Sequence, residues 1–126
     1  MHRDINVKQI SMGGKSMGDN KIIGNLGEEF AANVLARNGF QIIDRNFRTR
    51  FGEMDIIAKK NDCLHFIEVK TRTQEIYGRP CDSITEDKKR KLRKIAEVYM
   101  NLKRVYWREI SLDVFELSSN LIENCI

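Results

Sequence analysis

The sequence predicts a single α/β domain whose elements follow one another in the order α-β-β-β-α-β. The helices are indicated by apolar residues that recur at spacings of three and four, from about Ile22 to Asn38 and again from Thr85 to about Leu102. The strands are indicated by shorter apolar or alternating segments between turn-forming residues. They cover residues 40–47, 53–59, 64–70 and 108–117.

Local signals mark the ends of several of these elements. Gly39 follows the first helix, at the position where helices commonly end. Asn61 and Asp62 form a short turn between the second and third strands, so these strands are predicted to pair as an antiparallel hairpin. Thr85 is a suitable N-cap for the second helix, because the acidic side chains that follow it suit the positive end of a helix dipole.

The domain is expected to occupy residues 21–117, with a tail on each side. Residues 1–20 are polar, contain three glycines and lack periodicity, so a disordered tail is predicted there. Residues 118–126 are predicted to be a short C-terminal tail.

The composition is that of a globular protein at the polar end of the range, 41% hydrophobic and 32% charged. No apolar run approaches the roughly 20 residues that span a bilayer. The N-terminus also lacks the apolar centre of a secretory signal peptide, so a cytoplasmic location is expected. Cys63, Cys81 and Cys125 are widely spaced and suit neither a disulfide framework nor a zinc site, so reduced thiols are expected.

The basic residues are clustered, although the net charge is only +4. Residues 85–104 hold eight lysines and arginines against three acidic side chains. Arg45, Arg48 and Arg50 form a second cluster. Such clusters are typical of proteins that bind a polyanion, and a solvated helix face is the alternative.

Glu68 and Lys70 lie two residues apart on the third predicted strand and therefore share a face. If the hairpin is regular, Asp55 lies opposite Glu68, and Glu53 lies opposite Lys70. Like charges directly opposite one another are destabilising, and a divalent cation shared by both carboxylates would remove the repulsion. The alternative is that water and Lys70 satisfy these carboxylates.

The hairpin is expected to bury one face and to cover part of the other. The core face is predicted to hold Met54, Ile56, Ala58, Ile67 and Val69. The charged face also carries Ile57 and Phe66, which need cover, so a pocket is expected there rather than an open surface. If the first helix covers the polar end of the sheet, Glu28 or Glu29 reaches the carboxylates.

Oxygen ligands of this type suit Mg²⁺, with Mn²⁺ as a substitute, bound together with phosphate oxygens of a substrate. Such a metal activates or orients a water, and Lys70 would lie close to that water and stabilise the transition state. His65 is predicted to be structural. Cys63 has no acid–base partner nearby in sequence, so a thiol nucleophile is not expected.

A series of different short motifs is distributed over roughly residues 22–117. They are Gly24-x-x-Gly27-Glu28, Gly39-Phe40, Arg45-Asn46, Gly52-Glu53-Met54-Asp55-Ile56-Ile57-Ala58, Phe66-Ile67-Glu68-Val69-Lys70-Thr71-Arg72, Gly78-x-Pro80, Lys88 and Leu112-Asp113-Val114. At this spacing they resemble the YraN-type uncharacterised bacterial protein family. That family is similar to the restriction-endonuclease-like superfamily, whose members carry an aspartate followed by glutamate-x-lysine, and to archaeal Holliday-junction resolvases.

The resemblance implies a restriction-endonuclease-like αβββαβ core with a mixed central sheet flanked by helices. It implies that Asp55 and Glu68 are metal ligands and that Lys70 is the catalytic lysine. It also singles out Glu28 rather than Glu29. The family usually has isoleucine at the position of Met54, which is a substitution within the core.

We therefore expect a Mg²⁺-dependent endonuclease-like protein that acts on DNA, including branched or otherwise structured DNA. The side chains expected to bind nucleic acid are Arg45, Arg48, Arg50, Arg72, Lys88 and Lys91. A nucleic-acid-binding module that keeps the fold without cleavage is the first alternative, and a scaffold protein is the second. A junction-cutting enzyme needs two active sites, so a homodimer is expected if the protein cleaves DNA junctions.

Overall fold

The chain forms one mixed β-sheet with a helix on each face. The computed structural model describes residues 6–10, 20–72, 84–104 and 107–118. The elements are β1 (Asn6–Ile10), α1 (Asn20–Arg37), β2 (Gln41–Thr49), β3 (Gly52–Lys60), β4 (Cys63–Arg72), α2 (Glu86–Lys103) and β5 (Glu109–Ser118). From α1 onwards the order is the predicted α-β-β-β-α-β, so the αβββαβ core is confirmed.

The strands lie side by side in the order β1-β5-β4-β3-β2. The pairs β2–β3 and β3–β4 are antiparallel, whereas β4–β5 is parallel. A parallel pair needs a crossover connection, and α2 lies in the segment that joins β4 to β5.

Strand β1 was not predicted, because the whole segment 1–20 was expected to be a tail. It pairs in parallel with β5, from Asn6 opposite Asp113 to Ile10 opposite Leu117. The five residues of β1 include only two with apolar side chains, so main-chain pairing to a sheet edge creates this strand rather than a hydrophobic pattern. Asn20 and Ser118, also predicted to lie in the tails, belong to α1 and β5, while residues 1–5, 11–19 and 119–126 lie outside the described residues.

Two hydrophobic clusters fill the space between the sheet and the helices. On one face, α1 packs against Ile56, Ala58, Ile67, Phe115 and Leu117 through Ala31, Ala32 and Leu35. On the other face, α2 packs against Met54, Ile57, Leu64, Phe66, Ile110 and Leu112 through Leu92, Ile95, Ala96 and Tyr99. The expected cover for Ile57 and Phe66 is therefore α2, and burying one such side chain contributes about 1.5–3 kcal/mol.

Strand β3 changes the direction of its side chains near Asp55. Met54 packs in the same cluster as Ile57, whereas Ile56 packs on the α1 side. A regular strand would place Met54 and Ile56 on one face, so the prediction that they share a core face was wrong. The neighbouring strand β2 is also irregular at this level, because Asn46 has a positive φ of 54°. Both irregularities lie where the acidic side chains gather.

The predicted helix ends are confirmed. Gly39 follows α1 with a φ of 88°, and the N–H of Phe40 donates to the carbonyl of Leu35 across it (3.0 Å). The side chain of Thr85 accepts the N–H of Lys88 at the start of α2 (3.1 Å). In the described part of the chain, neither helix is long and apolar enough to cross a membrane.

Candidate active site

Helix α1 approaches the sheet closely at Gly27. A Cβ atom at this position would overlap the Thr71 Oγ1 atom of β4 and would touch Leu117. A glycine therefore lets the helix backbone lie against the strand. The next residue, Glu28, is held half-buried beside the acidic end of the hairpin.

Asn46 joins two acidic side chains across the site. With its amide nitrogen facing the carboxylates, it donates to Glu53 Oε1 (2.8 Å) and to Glu28 Oε1 (2.9 Å). Asparagine tolerates the positive φ that this position requires better than most residues do. From the sequence, Asn46 is part of a motif without a predicted role. The signal that could have found it is an asparagine inside an otherwise regular strand pattern.

Asp55 lies at the centre of a group of carboxylates. Its Oδ2 atom accepts the backbone N–H of Val69 from β4 (2.7 Å). The pKa of Asp55 is raised to about 7, mainly by burial and also by the charges of Glu28, Glu68 and Glu53, while the Val69 N–H opposes the rise. Glu28, Glu53, Asp55 and Glu68 are called the carboxylate cluster below.

Glu28, like Asp55, is affected by burial and by a neighbouring carboxylate. Its pKa is raised, first by burial and then by the charge of Glu53, while the nearby Arg45 lowers it. Glu29, the neighbouring glutamate, is exposed and forms an ion pair with Arg45 instead (2.9 Å). Of the two glutamates considered from the sequence, Glu28 is thus the one that interacts with Asp55.

Glu68 is buried, and its two carboxylate oxygens have different surroundings. Oε1 forms an ion pair with Lys88 Nζ from α2 (3.2 Å). Oε2 is buried and has no hydrogen-bond partner among the described residues. A buried carboxylate oxygen without a partner is costly, so Glu68 has capacity for a further cation or donor.

The predicted register of the hairpin is confirmed only in part. Strands β3 and β4 pair as expected from Ile56 opposite Ile67 to Lys60 opposite Cys63. The ladder stops there, so the expected pairs Asp55–Glu68 and Glu53–Lys70 are not part of it. Instead of a main-chain pair, Asp55 contributes its side chain, which accepts the Val69 N–H noted above.

Lys70 is not held by the carboxylate cluster. Its side chain is exposed, and the described residues offer it no ion pair with Glu53 or Glu68. Glu53 lies near Arg48 instead, with 3.5 Å between its Oε2 atom and Arg48 Nε. In this part of the chain, Glu53 and Lys70 therefore form no ion pair with each other.

The acidic side chains suit a magnesium site with few protein ligands. In the described part of the chain, no group of three or more histidine, cysteine, aspartate and glutamate side chains is arranged to hold a metal ion. Mg²⁺ commonly takes only one or two carboxylates and completes its shell with water and substrate phosphate. The mutual repulsion at Asp55 and the unpartnered Oε2 atom of Glu68 fit such a site.

Three of the predicted nucleic-acid-binding residues are exposed. Arg48 is 82% exposed near the turn between β2 and β3, and Arg50 in that turn lies over the Phe51 ring, 4.9 Å from its centroid. Lys91 is exposed on α2 and forms an ion pair with Asp87 one turn earlier (3.4 Å). Exposed ion pairs of this kind are weak, so Lys91 can exchange its partner for a phosphate.

The other three have different surroundings. Arg45 is half-buried and bound to Glu29, so it is the least available for a phosphate. Lys88 is bound to Glu68. Arg72 ends β4, and its side chain lies outside the described residues.

His65 lies at the other end of the hairpin. Its Nδ1 atom contacts Asp113 Oδ2 (2.6 Å), and Ser111 Oγ donates to Asp113 Oδ1 (2.7 Å). His65 also packs edge-on against Phe40 and lines an open groove of about 400 Å³ with Cys63 and other residues. Cys63 is buried and forms no disulfide among the described residues, while the other two cysteines lie outside them.

Comparison with known proteins identifies the family. The sequence profile of the uncharacterised protein family UPF0102 matches residues 27–117. The chain belongs to the UPF0102 family. Similar UPF0102 proteins occur in Dictyoglomus turgidum, 42% identical over 99 residues (79% of this chain and 84% of the relative), and in Clostridium kluyveri, 44% identical over 101 residues (80% and 83%). Another occurs in Clostridium tetani, 45% identical over 104 residues (80% and 83%).

The YraN-type resemblance is thereby confirmed. The UPF0102 match begins at Gly27, which allows the close approach of α1, and continues past Glu68 to the end of the core. It therefore spans the whole carboxylate cluster together with Asn46.

Proposed function

We propose that this UPF0102 protein is a Mg²⁺-dependent phosphodiesterase that cleaves DNA at the carboxylate cluster. The observation that carries the proposal is the environment of Asp55. Its carboxyl group is mostly buried, its pKa is raised to about 7, and three further carboxylates lie around it. Such repulsion between carboxylates destabilises a fold unless a cation offsets it. Grouped carboxylates with perturbed pKa values are therefore candidates for a catalytic site.

Asp55 and Glu68 would hold the metal. Glu68 offers the unpartnered Oε2 atom, and Asp55 keeps one oxygen on the Val69 N–H while its other oxygen is available. When bound, Mg²⁺ neutralises charge on a scissile phosphate and lowers the pKa of a coordinated water. Glu28 is close enough to Asp55 to raise its pKa, so it can act through a water on the same ion.

Lys70 provides a flexible ammonium group beside the proposed metal site. It lies two residues beyond Glu68 on β4, is exposed, and is free of an ion pair with the described acidic residues. An ammonium on a flexible stem can approach the attacking water or the scissile phosphate and stabilise negative charge that develops in the transition state.

The exposed basic side chains support DNA as the substrate class. Arg48 and Arg50 project from the turn between β2 and β3, and Lys91 from the first half of α2. Contacts from such residues to backbone phosphates give affinity that depends on salt and little on sequence. A surface of this kind reads the shape of a nucleic acid, which is compatible with branched substrates.

The test is a panel of duplex, single-stranded, flapped and four-way-junction DNA incubated with the protein and Mg²⁺ or Mn²⁺. We expect metal-dependent cleavage that falls by about a hundredfold or more in Asp55→Asn, Glu68→Gln and Lys70→Met. Glu97→Gln is the matched control, because Glu97 is an exposed carboxylate of α2 that no described contact joins to the cluster. This variant should cleave at the wild-type rate.

Two outcomes would contradict the proposal in different ways. Salt-dependent DNA binding without any cleavage, with affinity that rises in Glu68→Ala in metal-free buffer, would favour a binding module that keeps the nuclease fold. Absence of DNA binding even at low salt would favour a scaffold protein.

A further inference from the structure

Lys88 links α2 to the carboxylate cluster. It lies in the first turn of α2, where its N–H donates to the N-cap Thr85 (3.1 Å). Its side chain reaches Glu68 on β4, with 3.2 Å between Nζ and Oε1. The ammonium therefore occupies one side of the carboxylate that the proposed function assigns to a metal.

The neighbouring lysines of α2 behave differently. Lys89 pairs with Glu86, three residues earlier, and Lys91 pairs with Asp87, four residues earlier. Both partners are exposed side chains of the same helix, and such pairs contribute little to stability. The Lys88 pair instead joins two elements, and its Glu68 side chain is only 11% exposed.

The side chain of Lys88 can change its position. This side chain is 43% exposed, so it is partly in contact with solvent. A lysine carries its charge on a flexible four-carbon stem and can swing without disturbing the helix that bears it. Its contact with Glu68 uses Oε1 alone, and the unpartnered Oε2 atom of the same carboxylate is available to a second cation.

We propose that Lys88 is the resident counter-ion of the carboxylate site and that it is exchanged when the site is loaded. This inference rests on the proposed function. A divalent cation at Glu68 repels the ammonium at short range, because two positive charges then share one carboxylate. Lys88 leaves Glu68, turns towards the solvent and binds a DNA phosphate next to the scissile one. Lys88 thus neutralises the charge of Glu68 in the metal-free protein and positions the DNA substrate in the metal-bound protein.

The exchange couples metal binding to DNA binding. Without metal, Lys88 is held by Glu68 and is less available to a phosphate. With metal, Lys88 is released, so each ligand increases the affinity for the other by the same factor. A lysine that only stabilised the fold would produce no such coupling.

The first test measures Mn²⁺ affinity of DNA-free protein by calorimetry in wild type, Lys88→Met and Lys89→Met. Lys88→Met should bind Mn²⁺ about fivefold more tightly or better, because the competing ammonium is gone. Lys89→Met removes a lysine of the same helix whose described ion pair is with Glu86, outside the carboxylate cluster, and its Mn²⁺ affinity should stay within about twofold of wild type. Unchanged or weaker Mn²⁺ binding in Lys88→Met would overturn the inference.

The second test measures junction-DNA affinity with and without Ca²⁺, a hard cation that takes oxygen ligands. Ca²⁺ should tighten DNA binding to wild type by about fivefold or more, and this gain should disappear in Lys88→Met. The same gain in both proteins would overturn the inference. If Lys88→Met does not fold, Lys88→Gln replaces it, since glutamine keeps a donor for Glu68 without the charge.

The outcomes distinguish this inference from the proposed function. If wild type cleaves DNA with metal while Lys88→Met shows unaltered Mn²⁺ affinity and coupling, only the counter-ion role fails. If neither protein binds Mn²⁺ and wild type cleaves no DNA, the metal-dependent activity fails and the inference fails with it.

Discussion

Replacing Asp55 with asparagine should stabilise the metal-free protein, although it removes a residue proposed to be essential for activity. The carboxylate of Asp55 is mostly buried and surrounded by the charges of Glu28, Glu53 and Glu68. The amide oxygen of asparagine can still accept the N–H of Val69, so the one favourable contact is kept. The variant therefore removes the repulsion and the cost of burying a charge while it preserves the geometry.

The magnitude follows from the carboxyl pKa, which rises from an ordinary 3.8 to about 7. Each pKa unit corresponds to about 1.4 kcal/mol, so ionised Asp55 destabilises the folded state by at most about 4 kcal/mol. Partial exposure of the side chain screens the repulsion, and we expect about 2–4 kcal/mol.

The size of the effect changes with pH in a defined window. Below pH 3.8 the carboxyl group is protonated in both the folded and unfolded states, so it contributes no difference. Between 3.8 and about 7 the unfolded state loses its proton first, so wild-type stability falls as the pH rises. Above about 7 the penalty is complete. The advantage of Asp55→Asn should grow across this window and then remain constant.

Urea unfolding at pH 4, 6 and 8 in the presence of a chelator measures this difference directly. Asp62→Asn is the matched control, because Asp62 is an exposed turn residue whose replacement should change stability little at any of these pH values. If Asp55→Asn is no more stable than wild type at pH 8, ionised Asp55 does not destabilise the folded state. Added Mn²⁺ should stabilise wild type and leave Asp55→Asn unaffected.

Three further predictions concern residues that stabilise the fold, two at the site and one away from it. Gly27→Ala should lower the free energy of unfolding by about 1–3 kcal/mol, because the added Cβ overlaps Thr71 Oγ1. The second substitution Thr71→Ala should restore part of this stability. Unchanged stability in Gly27→Ala would show that the helix shifts to accommodate the Cβ. Asn46→Ala should lower stability in urea by about 1–3 kcal/mol at pH 8, because two carboxylates lose a shared donor, and equal stability would contradict the bridge. His65→Ala should lower stability by about 1–3 kcal/mol, because buried Asp113 loses a contact, yet should leave DNA cleavage at the wild-type rate; a lost activity in folded protein would contradict its structural role.

Much of the fold could be predicted from the sequence because its signals are local. Helical periodicity identifies α1 and α2, and a short turn sets the register from Ile56 opposite Ile67 to Lys60 opposite Cys63. Gly39 and Thr85 mark helix ends through backbone geometry and capping, which depend on few neighbours. These features do not depend on how distant segments pack.

The details of the site depend on distant segments and were not predictable in the same way. A period-two pattern assumes an uninterrupted strand. It therefore misplaced Met54 and extended the expected pairing to Asp55 and Glu53, although the ladder ends at Ile56. The bridge from Asn46 and the contact from Lys88 to Glu68 join residues on different elements. Strand β1 forms by pairing at a sheet edge, which its own side chains barely indicate.

The proposed activity requires that Asp55 and Glu68 bind one divalent cation, and crystals soaked in Mn²⁺ would reveal this ion. We expect a single anomalous-scattering peak in contact with carboxylate oxygens of both residues, with Lys88 Nζ displaced from Glu68. The same soak of Asp55→Asn crystals should give no peak at this position. If wild-type crystals show no peak at these carboxylates under saturating Mn²⁺, or show Mn²⁺ bound only elsewhere, Asp55 and Glu68 do not form a metal site.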